Sequence, residues 1–456
     1  MAGARAESRS ESRSGDAAQR AGEGAPLALS PLRARLLGLC DRAGLAATLI
    51  LPLFLLYGRA LAEVMIGLAD ASFLASCLLL RTGISLQPLW RRAALLWWGW
   101  EILCALPLHF VGLGPGGWPS LLQALALGRF LLFALALEER LLASPSARRA
   151  LQAVLAAAAT FIALASWEQY LTGRNFLGAP RAGDGALTGP FIKPRAGAPF
   201  VRLLFPAMLP PVITLLNRPR LPARMAGAAL AAFGLVTVIL IGQRMPALLA
   251  GLGLLVGAWL LPQWRKPALL AVLAAVLVLV ATPIISPPTA AKLLARFGEQ
   301  MAHFATSAYG QLYIRALRMT LAHPLFGFGF DGFRLFCPEP RFWHGLPLLG
   351  ITDQAAGGAE ICNLHPHNYY LQAATDGGFP GLILFAALAV AWLARLGHGL
   401  RRAPEPLRVG LFLAALIHLW PLASTSGLAA LPDDGWFYLM LGFGLAEARV
   451  PPSAPP

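Results

Sequence analysis

The chain has 456 residues, of which 57% are hydrophobic and 13% are charged, and its formal net charge at pH 7 is +15. A soluble domain carries about 25% charged residues, so this composition excludes a single water-soluble core and indicates a polytopic membrane protein. The positive charge does not indicate a nucleic-acid partner, because the sequence has no basic patch interleaved with aromatic residues. Most basic residues lie instead in short connections between apolar runs, where membrane topology places them.

The first 29 residues are rich in Arg, Ser, Glu, Gly and Ala and lack the apolar core of a signal peptide. We expect 1–29 to form a disordered cytoplasmic tail. Twelve apolar runs follow, at 44–57, 60–80, 93–111, 118–137, 150–171, 198–216, 225–242, 246–262, 267–285, 378–395, 408–427 and 434–448. The sequence therefore predicts an all-α protein with nine transmembrane helices in 30–285, a long, partly helical loop at 286–377, three transmembrane helices in 378–448 and a tail at 449–456.

Basic residues concentrate in the connections that lie on the cytoplasmic side if the N-terminus is inside, so both termini are predicted to be cytoplasmic. Three outer segments break this bias: 172–197, the tight turn that contains Arg244, and 286–377. An anionic ligand on the outer side is the simplest explanation for positive charge there. The alternative is that long loops cross the membrane regardless of their charge, which explains 286–377 better than it explains Arg244.

Arg244 lies in the segment IGQRMPALLAGLG, between two apolar runs with almost no loop. A guanidinium at a membrane boundary costs free energy unless it is paired or hydrated, and its planar fork suits two phosphate oxygens. The position predicts a clamp for a diphosphate at the membrane surface. The alternative is an interfacial arginine that extends its charge into water.

A helix is predicted over 308–322, with Arg315 and Arg318 three residues apart and therefore on one face. A second, apolar face is formed by Tyr313, Leu317 and Leu321. Such a helix could lie on the membrane surface and turn its arginines towards a lipid-linked phosphate. A solvated basic face is the competing interpretation.

His365 and His367 flank Pro366 and are followed by Asn368. Pro366 disfavours helix at His365 and favours a helical turn after it, so a short helix is predicted over 367–376. A neutral imidazole at this place could accept the proton of an attacking sugar hydroxyl. The alternatives are a metal site, which two histidines two residues apart support weakly, a helix cap, and a purely structural pair.

Gly327 and Gly329 lie in the segment HPLFGFG (323–329), called the glycine-rich turn below, which could bring backbone N–H groups to an anion or could only permit a tight turn. Within the apolar runs, Glu101 and Arg129 could pair with one another. The sequence has no nucleotide-binding loop, dinucleotide fingerprint or Asp-x-Asp pair, so no cofactor and no sugar nucleotide are predicted. Arginines can neutralise a diphosphate leaving group without a metal.

Cys337 and Cys362 both fall in the segment 286–377, which is predicted to be periplasmic, and no other cysteine does. An oxidising compartment allows such a pair to form a disulfide. The bond would close the chain between the glycine-rich turn and the histidines. The alternative is that both cysteines remain free thiols and pack as small apolar side chains.

The stretch from Gln311 to Gly381 reads QLYIRALRMTLAHPLFGFGFDGF and, after a polar loop, HPHNYYLQAATDGGFPGL. This ordered set resembles the shared signature of the O-antigen ligases and O-antigen polymerases, which are bacterial membrane glycosyltransferases. The resemblance implies a fold of the GT-C type, in the inner membrane, with the active site facing the periplasm. It assigns the family's two arginines to Arg244 and Arg315 and its histidine beside Asn to His367, with His365 as the second choice.

The implied donor is a preassembled glycan on undecaprenyl diphosphate, transferred without a metal. The acceptor is a sugar hydroxyl of lipid A–core for a ligase, or another lipid-linked repeat unit for a polymerase. The long outer loop late in the chain favours the ligase. A different class is a transporter whose outer arginines recruit an anion, with Glu101 and Arg129 along its pathway; discontinuous helices or an internal repeat would mark it, and neither is evident in the sequence.

Overall fold

The structure, a computed structural model, describes residues 30–193, 195–347, 350–352 and 358–450. The tail predicted at 1–29 and most of the tail predicted at 449–456 lie outside these residues. Within the described ranges the regular elements are helices, and the only β-type pairing is one isolated bridge between Arg174 and Pro180. The predicted all-α class is therefore confirmed.

Nine helices form the first part of the described chain: α1 (Pro31–Tyr57), α2 (Arg59–Leu80), α3 (Leu89–Ala105), α4 (Gly117–Ala136), α5 (Pro145–Thr172), α6 (Gly197–Leu216), α7 (Leu221–Ile241), α8 (Arg244–Leu260) and α9 (Arg265–Ile285). Shorter helices follow, namely α10 (Pro287–Ala290), α11 (Arg296–Ala302), α12 (Ala308–Ala322) and α13 (Gly332–Phe336). The last three are α14 (Tyr369–Gly397), α15 (Pro406–His418) and α16 (Asp433–Arg449). Short 3₁₀ or π-helical turns connect several of them.

Eight of the described helices are long and apolar enough to cross a membrane: α1, α2, α4, α5, α6, α7, α9 and α14. Helices α8 and α15 are apolar but shorter. A polytopic membrane protein is thus confirmed. Each of the twelve predicted apolar runs overlaps one helix, although twelve spans remain a prediction.

Two predicted runs extend beyond their helices. The run 93–111 overlaps α3, which ends at Ala105 because Pro107 follows. The run 408–427 overlaps α15, which ends at His418, shortly before Pro421. The carbonyl groups freed beyond α15 accept hydrogen bonds from Tyr370 and Asn368 of the α14 region. The end of α15 is therefore tied to the start of α14.

Helix α14 is broken at Gly378, where φ is 67° and ψ is −165°. The segment before the break agrees with the short helix predicted at 367–376, although it starts at Tyr369. The glycine-rich turn packs on the break: the amide of Phe328 donates to the Thr375 carbonyl (2.8 Å) and that of Gly329 to the Asp376 carbonyl (2.9 Å). In the opposite direction, the amide of Phe379 donates to the Pro324 carbonyl (2.8 Å).

Cys337 and Cys362 form a disulfide with a Cα–Cα distance of 5.8 Å, which confirms the predicted pair. The bond joins residues 25 apart and closes the segment between α13 and the histidines. In the chain-entropy account, closing a loop of this length stabilises the fold by roughly 3 kcal/mol. Cys40, Cys77 and Cys104 are free thiols.

Replacing Gly378 with alanine should destabilise the protein. A Cβ atom there would lie 2.5 Å from the Pro324 carbonyl oxygen, and the backbone conformation is one that side chains other than glycine rarely adopt. Backbone strain of this kind costs roughly 1–3 kcal/mol. Thermal unfolding of the detergent-purified variant should show a lower midpoint than the wild type.

The matched control is Gly67→Ala in α2, where a Cβ atom would meet nothing within 4 Å. This substitution should leave the midpoint unchanged or raise it slightly, because alanine favours helix over glycine. Equal midpoints for Gly378→Ala and Gly67→Ala would contradict the packing of the turn on the break.

Candidate functional site

A cavity of about 590 Å³ lies between the starts of α2 and α6, the glycine-rich turn, the histidine segment and residues 426–433. Its polar lining includes Arg59, Arg129, Arg195, Arg334, Asp433 and His365. The predicted topology places this end of the helices on the outer side. We call this space the main cavity.

Three arginines of the main cavity are paired with carboxylates. Arg195 contacts Asp184 at 2.7 Å, and Arg334 contacts Asp331 at 2.7 Å. Arg129 binds both carboxylate oxygens of Glu63 at 2.8 Å. These pairs orient the guanidinium groups but reduce the net positive charge of the walls.

The pairing of Arg129 with Glu101 suggested from the sequence is wrong. Arg129 lies on α4 and meets Glu63 because α2 packs against α4. Glu101 is fully buried on α3, where it lies beside the α14 backbone at Gly377 and Gly381. The two side chains therefore face different neighbouring helices.

His365 and His367 lie together, with ring centroids 4.5 Å apart. Nδ1 of His367 is 3.0 Å from the Thr425 carbonyl oxygen, which can only accept, so this nitrogen carries the proton. Nε2 is then the acceptor, and the side-chain amide of Asn363 donates to it over 2.9 Å. His367 thus presents a lone pair at Nε2, held by a partner at each ring nitrogen.

Both histidines are neutral at pH 7. Burial lowers the pKa of His367, while its bond to Thr425 and the nearby Asp433 carboxylate oppose the shift. Burial and the neighbouring His367 lower the pKa of His365 to about 4, and Asp433 again opposes the shift. This state agrees with the neutral imidazole expected from the sequence.

Asn368 caps α14 and does not line the main cavity. Its side-chain oxygen accepts from the Leu371 amide at 3.0 Å, and its side-chain nitrogen donates to the Pro421 carbonyl at 2.7 Å. The helix cap considered for His367 is therefore provided by Asn368, while His367 precedes it with a positive φ of 56°. Asn368 fixes the position of His367 through the backbone.

Arg244 is the first residue of α8, next to Gln243, which lines the main cavity. The side-chain oxygen of Gln243 accepts from the Gly197 amide at 2.7 Å and so ties α8 to α6. Arg244 is also close to Lys292: burial lowers the pKa of Lys292, the ion pair with Asp184 opposes this, and the charges of Arg195 and Arg244 lower it further.

Asp184 joins this group of cations to one carboxylate. It forms ion pairs with Lys292 and with Arg195. Burial alone would raise the pKa of Asp184, but hydrogen bonds from Lys292 and Arg195 bring it down to about 2. Lys292 and Arg195 thus share one carboxylate close to Arg244 and beside the main cavity.

Helix α12 has the predicted bounds, and the side chain of Ser307 caps its start by accepting from the Gly310 amide. Arg315 is fully buried on it. Its guanidinium donates to the carbonyl groups of Cys337 (2.8 Å) and Gly358 (3.2 Å). Burial lowers the pKa of Arg315 to about 10, although the negative charge of Glu360 raises it. Arg315 therefore binds the loop that the disulfide closes.

The expectation that Arg315 and Arg318 form one open basic face is wrong. Arg318 is only partly buried, and its Nε donates to the His344 carbonyl at 3.2 Å. The buried side of α12 carries Leu312, Ala316 and Met319, whereas Leu321, expected on the apolar face, is 47% exposed. The disulfide-closed loop covers the side of α12 that carries Arg315, so this side does not face a membrane.

Gly327 and Gly329 support the site through backbone packing. Their amides donate to the carbonyls of His323 and Asp376, so in this conformation neither is directed at an anion. Both have positive φ values, of 59° and 78°. Among the described residues, no group of three or more His, Cys, Asp or Glu side chains is placed to hold a metal.

Sequence reasoning assigned no role to Arg59, Gln372 or Asp433, which all line the main cavity. Gln372 links the cavity to the break in α14, because it donates to the Asp376 carboxylate (3.2 Å) and accepts from the Leu428 amide (2.8 Å). Asp433 forms an ion pair with the buried Arg202. Of these three residues, Arg59 could have been singled out from the sequence, because it is a basic residue in a short connection that is predicted to lie on the outer side.

Comparison with known proteins gives one family. The model described as O-Antigen ligase matches residues 229–386, a segment that contains Arg244, Arg315, the glycine-rich turn and both histidines. The resemblance inferred from the sequence is thereby confirmed, and the match supports the function of an O-antigen ligase or of a related polymerase. Among curated proteins, no match was found.

Proposed function

We propose that this chain, whose residues 229–386 match the O-antigen ligase family, transfers a preassembled glycan from undecaprenyl diphosphate to a sugar hydroxyl of lipid A–core. The family match carries the proposal, because it includes the arginines and histidines that this reaction needs. The reaction takes place at the periplasmic face of the bacterial inner membrane, in a GT-C-like fold of twelve spans. The main cavity supports this location, because its polar lining lies at the end of the helices that is predicted to be outside.

The donor diphosphate binds beside Arg244. Lys292, which is close to Arg244, shares the Asp184 carboxylate with Arg195, so these two cations keep more positive than negative charge. An excess of cations at a membrane boundary suits a diphosphate, whose negative charge grows as the glycan leaves it. Guanidinium groups supply this stabilisation without a metal ion.

The acceptor hydroxyl attacks the anomeric carbon of the first donor sugar. A new C–O bond forms there as the bond to the diphosphate oxygen breaks, and the diphosphate leaves with the electron pair. The hydroxyl proton passes to Nε2 of His367, which exchanges the Asn363 amide for the hydroxyl. His365, which lines the main cavity, is the second candidate for this base.

Arg315 and Arg318 were expected to bind the same diphosphate. Since Arg315 donates to carbonyls of the disulfide-closed loop, direct contact with the donor needs that loop to move. We infer that Arg315 positions the loop and the histidine segment that follows it. Arg318 lies on a more exposed side of the same helix, and it also donates to a carbonyl group of this loop, that of His344.

Deleting the gene and examining the lipopolysaccharide tests the proposal. A ligase predicts core without polymer and accumulation of lipid-linked polymer. Core that carries a single repeat unit would indicate a polymerase, whose chemistry at the site is the same but whose acceptor is another lipid-linked unit. Unchanged lipopolysaccharide would contradict both functions.

Arg244→Ala should abolish transfer at unchanged protein level, and Arg244→Lys should restore only part of it because lysine lacks the bidentate fork. The measurement is transfer by purified protein, with Arg265→Ala as the control. Arg265 is likewise the first residue of an apolar helix, α9, but lies on the predicted cytoplasmic side. Full activity of Arg244→Ala would contradict the diphosphate clamp.

For Arg315→Ala, a positioning role predicts loss of transfer together with a lower unfolding midpoint, whereas direct donor binding predicts loss of transfer alone.

His367→Ala should lower the transfer rate by roughly 10²–10⁴-fold, the usual range for general acid–base catalysis. His398→Ala, at the cytoplasmic end of α14, is the control and should be fully active. EDTA should have little effect on either protein. Loss of activity in EDTA, restored by a divalent ion, would favour the metal alternative for His365 and His367.

The pH dependence separates the two histidines. A base works when it is deprotonated, and burial lowers the pKa of both residues below 6.5, so the rate should stay constant from pH 8 to about 6.5 and fall only in more acidic solution. A half-maximal rate near pH 4 would identify His365, whose pKa is about 4. A midpoint between this value and 6.5 would identify His367, and a midpoint above 6.5 would exclude both.

A further inference from the structure

A second, smaller cavity of about 140 Å³ adjoins the main cavity. Arg59, Pro199, Pro432 and Asp433 line both spaces, so they are contiguous. The small cavity lies at the turn between α1 and α2, next to the loop that leads into α6 and the start of α16. Because α1 and α2 are long and apolar enough to span a membrane, the predicted topology puts this space at the outer boundary of the lipid.

The small cavity combines two cations with an apolar wall. Arg59 and Lys193 contribute the charge, and the wall is formed by Leu55, Leu56, Phe191 and Trp436. Both cations are exposed, and within the described ranges neither has a hydrogen-bond or ion-pair partner. In contrast, Arg129, Arg195 and Arg334 of the main cavity are all paired.

The carboxylate nearest to this charge does not neutralise it. Asp433 is the acidic residue in the lining of the small cavity, and it forms an ion pair with Arg202. Arg202 is 5% exposed and holds Asp433, whose side chain is 23% exposed, so the charge of Asp433 is balanced by Arg202 and not by the cations of the cavity. The small cavity therefore has a net charge of about two positive units beside an apolar surface, which suits an anionic group on an amphiphile.

We propose that Arg59 and Lys193 form a subsite for a phosphate carried by the acceptor. This inference rests on the proposed transfer between two membrane-anchored substrates, which need separate places beside one reaction centre. The cations around Arg244 serve the donor, and Arg244 and Lys292 do not line the small cavity. His365, Arg59 and Asp433 line the main cavity, so the second cation group opens into the same space as His365.

Two cations suit a phosphate monoester better than a carboxylate. A monoester carries about −1.5 to −2 charges at pH 7, and its oxygens accept from a guanidinium fork and from an ammonium at once. A sugar carboxylate carries one charge and would leave the second cation without a partner. The apolar wall offers a surface to the sugar or lipid next to the phosphate.

The test measures binding and transfer separately. Equilibrium binding to detergent-purified protein is measured with lipid A–core that carries its phosphates and with the same lipid after the phosphates are removed. The variants are the double substitution Arg59→Gln with Lys193→Gln, the conservative Arg59→Lys, and Arg174→Gln as the control. Arg174 is an exposed cation of the same outer loop region that lines neither cavity.

We expect the double variant to bind the phosphorylated lipid at least about tenfold more weakly, because two charge-assisted contacts are lost. Its affinity for the dephosphorylated lipid should equal that of the wild type. In transfer assays its KM for the phosphorylated acceptor should rise, while kcat and the KM for the donor stay constant. Arg59→Lys should keep most of the affinity, and Arg174→Gln all of it.

Three results would overturn the subsite: equal affinity of wild type and double variant for the phosphorylated lipid, an equal loss for both lipids, or a rise in the KM for the donor. Failure of the proposed function has a different signature. In that case the wild type would transfer no glycan but would still bind the phosphorylated lipid more tightly than the dephosphorylated lipid, and the double variant would lose this preference. Such a result would support the phosphate subsite and contradict the transferase function.

Discussion

The break in α14 at Gly378 is the constraint on which the site depends. A helix that crosses a bilayer can leave backbone groups unpaired only where other protein groups satisfy them. Here the glycine-rich turn does so, since it donates to the carbonyls of Thr375 and Asp376 and accepts from the amide of Phe379. The turn can approach this closely because Gly327 has no side chain: a Cβ atom there would lie 2.5 Å from the Asp376 carbonyl.

This docking sets the geometry of the main cavity on both sides of the turn. Beyond it, Asp331 and Arg334 form one wall, and Gln372 on the first segment of α14 forms another. The same segment begins at the Asn368 cap, whose bond to Pro421 attaches it to the end of α15. His367 is therefore held between the break in α14 and the chain beyond α15, and Thr425 fixes its tautomer.

The cations on the predicted outer side differ in how far carboxylates neutralise them, and this difference supports the separate roles proposed for them. Arg315 is enclosed and holds the disulfide-closed loop in place. Lys292 and Arg195 share Asp184 beside Arg244, so that group retains an excess of positive charge. Among the residues that the structure describes, Arg59 and Lys193 form no ion pair with a carboxylate. A reaction between two anionic amphiphiles needs such a division, because one group must stabilise a leaving diphosphate while another only retains a substrate.

The helical membrane class, the places of the twelve apolar runs and helix 308–322 could be predicted from the sequence, which also identified Cys337 and Cys362 as a pair that an oxidising compartment would allow to bond. These features depend on local composition and spacing, or on the small number of cysteines in one segment. The packing of the helices was needed to show that Arg129 meets Glu63 and not Glu101, that Arg315 is buried under its own loop, and that Arg59 lies at two cavities. A charged side chain takes its partner from the neighbouring helices, and the packing of helices far apart in the chain is not encoded in the spacing of residues along one of them.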